Sequence, residues 1–268
     1  MNDSALPPVV ARPVQRWPAE QVTQDLVAAE VPVSLVFNGI AHAVMMATPQ
    51  DLECFALGFA LSEGILDSPA DCYGLEVEPL LEQAVACVAV HLDISARCFA
   101  RLKARRRSLA GPTGCGLCGV ESLDALDLTP PPIESQPWLA QFPVANVLAA
   151  LAAMPQRQLL NADCGALHAA GWLRADGVLT DVLEDVGRHN ALDKLLGHLA
   201  QAGRLQEAGL VVMTSRASYE LVRKCARLQV PALATISAPT ALAIQVAHAA
   251  GLTLWGLCRG EQAVRYAP

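Results

Sequence analysis

Residues 209–257 read GLVVMTSRASYELVRKCARLQVPALATISAPTALAIQVAHAAGLTLWGL, and this stretch decides the fold of the second half of the chain. Three short apolar segments alternate in it with two segments of helical pattern. The predicted strands are 209–214, 232–237 and 252–257, and the predicted helices between them are 218–229 and 240–250. Because strands joined through helices run parallel, this pattern predicts a parallel sheet covered by helices.

The residues just before this stretch extend the α/β pattern. A helix is predicted at 142–154, followed by strands at 166–174 and 178–184 that turn at Ala175-Asp176-Gly177. A further helix, 189–202, ends at Gly203. The second half of the chain therefore predicts an α/β domain.

The first part of the chain has a different pattern. Residues 31–37 and 40–47 flank Asn38-Gly39, a pair suited to a type I′ turn, and predict a β-hairpin. Further strands are expected at 75–80 and 86–94. With one helix between hairpin and strands, this region predicts a smaller α+β N-terminal domain.

The predicted helix in this region runs from residue 48 to residue 64. Thr48 is the expected N-cap, Pro49 takes the first position, Asp51 lies in the first turn and Gly64 ends the helix.

Composition and charge exclude several classes of protein. Hydrophobic residues make up 53% of the chain and the net charge is −7, so a large core is expected and a nucleic-acid or acidic-membrane partner is not. Residues 1–22 contain no apolar segment typical of a signal peptide. The charge-free run 228–258 is broken by prolines and glycines, which favours buried core over a membrane span. Nine cysteines, an odd number, argue against a disulfide scaffold. We therefore expect a cytoplasmic protein with reduced thiols.

The chain changes character between the two predicted domains. Basic residues crowd 101–107, glycines surround two cysteines at 111–119, and Thr129-Pro130-Pro131-Pro132 resembles a stiff spacer. We predict three parts: an N-terminal domain at 1–110, a mobile Cys-x-x-Cys loop at 111–127 and an α/β domain at 128–268.

The strongest local motif is Gly114-Cys115-Gly116-Leu117-Cys118-Gly119. Glycine on both sides of each cysteine gives a backbone that can move and approach a ligand closely, and the arginine run just upstream would favour the thiolate if it folds near the cysteines. A reactive thiolate can attack a sulfur donor and hold the transferred atom as a persulfide. A structural zinc site and a thioredoxin-like redox pair are the alternatives that the motif alone leaves open.

A second group of candidates lies where helices follow the predicted strands. Ser215 and Arg216 follow one strand and Ser237 follows the next, at the sheet edge where helix N-termini bind phosphate or a nucleotide. Ordinary helix capping by serine is the alternative. At the start of another helix, His189 could meet a ligand at the same edge, together with Arg188 and Asn190. A structural histidine is the alternative there, and likewise at His168.

Several motifs together resemble the formate dehydrogenase accessory (FdhD) family. They are Gly-Cys-Gly-Leu-Cys-Gly-Val-Glu-Ser-Leu at 114–123, Glu-Asp-Val-Gly-Arg-His-Asn-Ala-Leu-Asp-Lys at 184–194, Ser-Arg-Ala-Ser-Tyr-Glu at 215–220 and Ile-Ser-Ala-Pro-Thr-Ala-Leu-Ala at 236–243. The hairpin and helix at 31–64 resemble the family too, so the likeness runs from about Val31 to the C-terminus.

The resemblance implies a function. Members of the family take sulfur from a cysteine desulfurase and deliver it to the molybdenum cofactor, bis(molybdopterin guanine dinucleotide), which then enters formate dehydrogenase. By position, Cys115 matches the persulfide cysteine and Cys118 its partner. The cofactor-binding segment matches Leu257, Cys258, Arg259, Gly260, Glu261 and Gln262. The sequence departs from the family at Leu257, where an aromatic residue is usual, at Glu261-Gln262, where Gly-Arg is common, and at Cys164, where a small or hydroxylated residue is typical.

The resemblance also implies a fold and an assembly. It predicts a cytidine-deaminase-like, three-layer C-terminal domain and a homodimer. Zinc deaminases carry metal ligands at two helix starts, which here are Arg188-His189-Asn190 and Arg216-Ala217-Ser218. Those ligands are absent, so we expect neither deamination nor a catalytic metal. A cofactor-binding chaperone without sulfur transfer and a zinc-stabilised binding module are the other hypotheses.

Overall fold

The computed structural model describes residues 6–81, 85–107 and 129–268, and for Arg105–Arg107 the backbone alone. Its first element is an antiparallel ribbon of two strands, β1 (Val9–Arg16) and β2 (Gln21–Ala28). This ribbon was not predicted from the sequence. No residue of either strand is fully buried, and Pro13 interrupts the alternation of apolar and polar residues that predicts a strand.

A four-stranded sheet with the order β4-β3-β6-β5 forms the centre of the first part. Its strands are β3 (Val31–Phe37), β4 (Ile40–Ala47), β5 (Cys72–Leu80) and β6 (Cys87–Ile94). The predicted hairpin and both later strands are confirmed. Asn38 and Gly39 have φ angles of 45° and 78°, the left-handed values that a type I′ turn requires at both positions.

Two helices cover one face of this sheet: α1 (Leu52–Ser62) and α2 (Ala96–Arg107). The predicted start of α1 was wrong, because the helix begins after Asp51. Thr48 is buried and hydrogen-bonded to the second half of the chain, so it does not cap α1. The basic segment 101–107, expected to belong to a domain junction, is the end of α2.

A six-stranded mixed sheet with the order β12-β11-β10-β9-β7-β8 forms the centre of the second part. Its strands are β7 (His168–Arg174), β8 (Leu179–Asp185), β9 (Gly209–Met213), β10 (Ala232–Thr235), β11 (Thr253–Arg259) and β12 (Gln262–Ala267). Strands β9, β10 and β11 are parallel, as predicted, whereas β7 and β12 run antiparallel to their neighbours. Strand β12 had not been predicted.

Helices cover both faces of this sheet. They are α3 (Val144–Arg157), α5 (Arg188–Gln201), α6 (Tyr219–Arg227) and α7 (Ala241–Ala250). The short helix α4 (Leu159–Cys164) lies instead against β1 and β2. In β9, Val211 and Met213 pack with α5, α6 and α7, whereas Leu210 and Val212 pack with α3 on the opposite face. This gives three layers, and the specific likeness to cytidine deaminases stays a prediction. None of the helices in the described ranges is long and apolar enough to cross a membrane.

The two sheets are joined through α1 and α5. A side chain at Gly58 would lie 1.8 Å from the carbonyl oxygen of Asp193, and one at Gly197 would lie 1.8 Å from that of Cys54. The two helix backbones therefore approach more closely than any larger residue would permit. The predicted domain boundaries at 110/111 and 127/128 lie outside the described residues.

Strand direction brings several loops to one edge of the six-stranded sheet. Because β7 is antiparallel to both β8 and β9, the carboxyl ends of β8, β9, β10 and β11 meet at one edge. We call this edge, with the helix starts that follow it, the carboxyl edge. It is where open α/β sheets usually bind ligands.

Candidate functional site

Hydrogen bonds join the loops of the carboxyl edge to one another. The backbone N–H of Ser237 donates to the carbonyl of Ser215 at 3.4 Å, and that of Leu257 donates to the carbonyl of Ser237 at 3.3 Å. The N–H of Thr240 donates to the carbonyl of Ala217 at 3.0 Å. The structure thus brings together Ser215, Ser237 and Leu257, which the sequence analysis had placed at one ligand site.

The start of α5 meets the start of α6 at this edge. His189 Nε2 lies 3.3 Å from Ser218 Oγ and 3.7 Å from a carboxylate oxygen of Glu220. Burial opposes ionisation of Glu220, but the proximity of His189 and Ser218 outweighs it and lowers the pKa of Glu220 to about 2. The sequence analysis had not singled out Glu220, although it ends the motif 215–220.

Two arginines add positive charge to this corner, and a second histidine, His168, lies near them. Arg188 is half-buried and Arg216 is exposed. Burial and the proximity of Arg216 both lower the pKa of Arg188, while Glu220 opposes that shift. Burial, and then Arg188, lower the pKa of His168, so its imidazole is neutral near pH 7. In a protein of net charge −7 this is a local cationic site.

The C-terminal segment that resembles the cofactor-binding motif borders the same edge. Leu257 is 39% exposed with a φ angle of 53°, and Arg259 Nε donates to the carbonyl of Ile236 at 3.0 Å. Gly260, with a φ angle of 56°, and Glu261 make the turn into β12, which begins at Gln262.

One residue of that segment faces inward. The thiol of Cys258 is buried in the cluster that packs against α3, and its Sγ lies 3.6 Å from the carbonyl oxygen of Gly256. Cys258 is therefore buried as a whole, and its thiol does not face a ligand at the carboxyl edge.

Much of the motif at 184–194 is structural. Lys194 and Asp185 are both fully buried and form an ion pair of 2.8 Å. Asp185 also accepts hydrogen bonds from the backbone N–H of Thr48 and from Asn190 Nδ2, which donates in addition to the carbonyl of Met46. The expectation that Asn190 meets a ligand was wrong, because its amide joins α5 to the N-terminal sheet.

A second buried ion cluster links α1, α5 and α6. Lys224 Nζ lies 2.9 Å from Asp193 and 2.8 Å from Glu63, and Arg223 lies 2.7 Å from Glu63. Burial opposes ionisation of Glu63, but Lys224 and Arg223 hold its pKa well below the usual value. The second half of the motif at 184–194 therefore serves the packing of the two sheets.

Both cysteines of the predicted sulfur-carrying loop, Cys115 and Cys118, lie outside the described residues. The seven described cysteines are free thiols. Burial is the main cause that raises the pKa of Cys54 and of Cys258 to about 11 and that of Cys225 to about 12. These three are protonated and weakly nucleophilic near neutral pH.

Among the described residues, one group has the spacing of a metal site. It consists of Asp67, Asp71 and Cys98. Arg97 lies 3.0 Å and Arg101 2.9 Å from Asp67, so arginines already neutralise these carboxylates.

Comparison with known proteins identifies the same family as the sequence motifs do. The FdhD/NarQ family model matches residues 28–268. A protein named sulfur carrier protein FdhD from Burkholderia cenocepacia is 50% identical, over 94% of this chain and 90% of its own length. One of the same name from Cupriavidus necator is 51% identical, over 95% of this chain and 86% of its own.

A solved structure has the same fold. It is a formate dehydrogenase accessory protein from Desulfotalea psychrophila, 22% identical, with a TM-score of 0.68 over 97% of this chain and 96% of its own. From the family match and the curated relatives together, we conclude that this chain belongs to the FdhD/NarQ family.

Proposed function

We propose that this protein is a sulfur carrier required for formate dehydrogenase activity. It receives sulfur from a cysteine desulfurase, holds it as a persulfide on Cys115 and delivers it to bis(molybdopterin guanine dinucleotide) before insertion into the dehydrogenase. The observation that carries the proposal is that this chain belongs to a family whose curated relatives are named sulfur carriers. The chain also has an intact Gly-Cys-x-x-Cys-Gly motif. A homodimer in the cytoplasm is part of the proposal, from the family resemblance.

The chemistry of the other thiols supports Cys115 as the carrier. Persulfide formation requires a thiolate that an external donor can reach. Cys54, Cys225 and Cys258 have raised pKa values, and Cys225 and Cys258 are also buried. Cys115 lies instead between glycines, eight residues after the arginine-rich end of α2.

The two cysteines of the motif can supply the electrons that sulfur transfer requires. The Cys115 thiolate attacks the outer sulfur of the desulfurase persulfide, and the donor cysteine leaves as a thiolate. Attack of the Cys118 thiolate on Cys115 Sγ then forms a disulfide and releases hydrosulfide, which is the reduced form that a molybdenum ion binds. The carried sulfur gains two electrons and the two cysteines lose them, so a thiol reductant must restore the pair for the next cycle.

The carboxyl edge is the proposed binding site of the molybdenum cofactor, which is the substrate of this protein. Its residues fit a phosphate-rich nucleotide, because Arg188 and His189 begin α5 and Arg216 lies in the loop before α6. Ser215, Ser237 and the segment 257–262 border them and would contact the rest of the guanine dinucleotide.

The experiment that tests the proposal is maturation of formate dehydrogenase in cells that lack the chromosomal copy of this protein. Wild type, Cys115→Ala, Cys118→Ala and the double variant are compared, with Cys164→Ala as the control because it removes one thiol from the described part of the chain. We expect no dehydrogenase activity with Cys115→Ala and full activity with Cys164→Ala. Full activity with the double variant would reject sulfur transfer and favour a cofactor chaperone.

A further inference from the structure

We propose that strand β4 pairs with β4 of a second copy of this chain, so that the two four-stranded sheets join into one continuous sheet. The inference rests on the proposed function, which includes a homodimer, and it assigns the surface through which the two copies meet. Neither the sequence motifs nor the family resemblance indicated which surface that is.

The first observation is a set of backbone groups on β4, an edge strand, that have no partner in the sheet. Pro32 has no N–H group, and the carbonyl of Met46 opposite it accepts a hydrogen bond from Asn190 at 2.8 Å. Pro32 and Met46 therefore form a non-hydrogen-bonded pair of the antiparallel ladder. The pair of Ser34 and Val44 lies two residues along and is of the same type.

The consequence is that Val44 presents its backbone to the open edge. In a non-hydrogen-bonded pair the N–H and carbonyl groups point away from the neighbouring strand. No described residue outside the sheet is hydrogen-bonded to the N–H or the carbonyl of Val44. These two groups can pair with the backbone of another strand.

The second observation is that β4 carries no formal charge. Residues 40–47 read IAHAVMMA, without Asp, Glu, Lys, Arg or Pro. A two-fold axis places a strand antiparallel to its own copy, so that each residue near the axis meets the same or a nearby residue. Like charges directly opposite each other would destabilise such a pair, and β4 has none.

The third observation is that the other edge strands of the two sheets are protected against pairing. Strand β5 contains two glutamates and a proline, and β12 contains an arginine. On β8, Arg157 donates hydrogen bonds to the carbonyls of Leu179 at 3.1 Å and Thr180 at 2.8 Å. Charges, prolines and covering side chains are the usual protection of edge strands, and an apolar edge without them is a template for another strand.

The fourth observation is the apolar surface beside this edge. Val44 is 57% exposed and Met46 is 47% exposed, and both lie on the face of the sheet opposite to α1 and α2. The register that uses both free groups of Val44 places this residue opposite Val44 of the second copy. The exposed apolar side chains of both copies then pack along the seam, which favours association.

The test is sedimentation velocity of the full chain over a range of protein concentrations. Wild type is compared with Val44→Lys, Val44→Glu and an equimolar mixture of these two variants. Val22→Lys is the matched control, because Val22 is a 71% exposed valine of β2, a strand outside the four-stranded sheet.

We expect wild type and Val22→Lys to sediment with twice the mass of one chain. Each change at Val44 places two like charges opposite each other at the axis, and it should weaken self-association about tenfold or more. The equimolar mixture should form dimers again, because the two introduced charges are then opposite in sign. In wild type, the amides of residues 40–47 should exchange hydrogen more slowly in the dimer than at dilutions that favour the monomer.

Four results would overturn the proposal. They are a monomeric wild type, dimers that survive both changes at Val44, a mixture that stays monomeric, and amides of residues 40–47 whose exchange is independent of concentration. Dissociation by Val22→Lys alone would overturn it too, and would assign the contact to the ribbon of β1 and β2. Sulfur loading of Cys115 is measured separately by mass spectrometry, so a failure of this contact is distinguishable from a failure of sulfur transfer.

Discussion

At the residue scale, the side chains of the motif from Glu184 to Lys194 point in two different directions. Asp185, Asn190 and Lys194 point into the contact with the N-terminal sheet, whereas Arg188 and His189 stay at the carboxyl edge. The sequence predicts a dense polar cluster at a helix start, but it cannot tell these two groups apart. Which side chains are buried depends on how α5 packs against α1, and that contact joins residues more than a hundred positions apart.

The buried pair of Lys194 and Asp185 gives the first prediction. Lys194→Met leaves the Asp185 carboxylate buried without its counter-ion, and we expect a loss of about 3–5 kcal/mol in the free energy of unfolding. Urea denaturation measures it. Lys103→Met is the control, because Lys103 is an exposed residue of α2 that lies over the ring of Phe99, and its replacement should cost less than about 1 kcal/mol. Equal losses in the two variants would show that the buried pair adds nothing.

Glu220 gives a prediction of pH dependence. Its pKa falls from 4.5 in the unfolded chain to about 2 in the folded protein, so the unfolded chain takes up the proton first as the pH falls. The stability that ionised Glu220 contributes is therefore complete above about pH 4.5 and is lost between that pH and about pH 2. We expect Glu220→Gln to be less stable than wild type at pH 7 and the difference to shrink as the pH falls to 3. Urea denaturation at several pH values measures this, and a constant difference would contradict it.

At the scale of elements, the sequence predicted those turns, strands and helices that depend on adjacent residues. The Asn38-Gly39 turn and the βαβαβ run from Gly209 were confirmed because turn geometry and apolar periodicity are written in adjacent residues. Helix α4 was missed because it is six residues long and depends on a distant partner. Glu184 accepts hydrogen bonds from the backbone N–H groups of Leu160 and Asn161 at its start.

The crossing of α1 and α5 gives the third prediction. A methyl group at Gly58 or Gly197 would overlap the backbone of the opposite helix, so either Gly→Ala change must push the helices apart. We expect each to lower the free energy of unfolding by about 3 kcal/mol or more, although alanine favours helix formation. Thermal and urea denaturation measure the loss.

Gly74→Ala is the matched control for that change. The atoms nearest to a methyl group there belong to the side chain of Asp93, the closest at 3.3 Å, and we expect a change within about 1 kcal/mol. Stability close to wild type in Gly58→Ala would contradict the close helix contact.

At the scale of the whole molecule, the two sheets have separate cores but share a charged contact. Lys224 binds Glu63 and Asp193, and Thr48 binds Asp185 and Lys194, so both ion clusters link the first part of the chain to the second. The sequence predicted two regions of different pattern. It could not predict this contact, because the charges in it look like ordinary surface residues of amphipathic helices.

This contact predicts that the two parts unfold together. Amide hydrogen exchange of β3 and β6 should report the same opening free energy as that of β9 and β10, within about 1 kcal/mol. Lys224→Met should lower protection in both sheets by equal amounts. Selective loss of protection in the four-stranded sheet would show that the halves open independently.

The sequence predicted which residues form the candidate site better than it predicted how they are arranged. One edge of the sheet carries Ser215, Ser237, Leu257 and His189, because parallel strands bring their carboxyl ends together. The alternation of strands and helices in the sequence is enough to predict this grouping. The inward direction of Cys258 follows from packing, which no local pattern encodes.

Intact-protein mass spectrometry after incubation with a cysteine desulfurase and free cysteine tests the central claim most directly. We expect wild type and Cys164→Ala to gain sulfur that a thiol reductant removes, and Cys115→Ala to gain none. Sulfur retained by Cys115→Ala, or absent from wild type while a control acceptor is loaded, would contradict the account of Cys115 as the sulfur carrier.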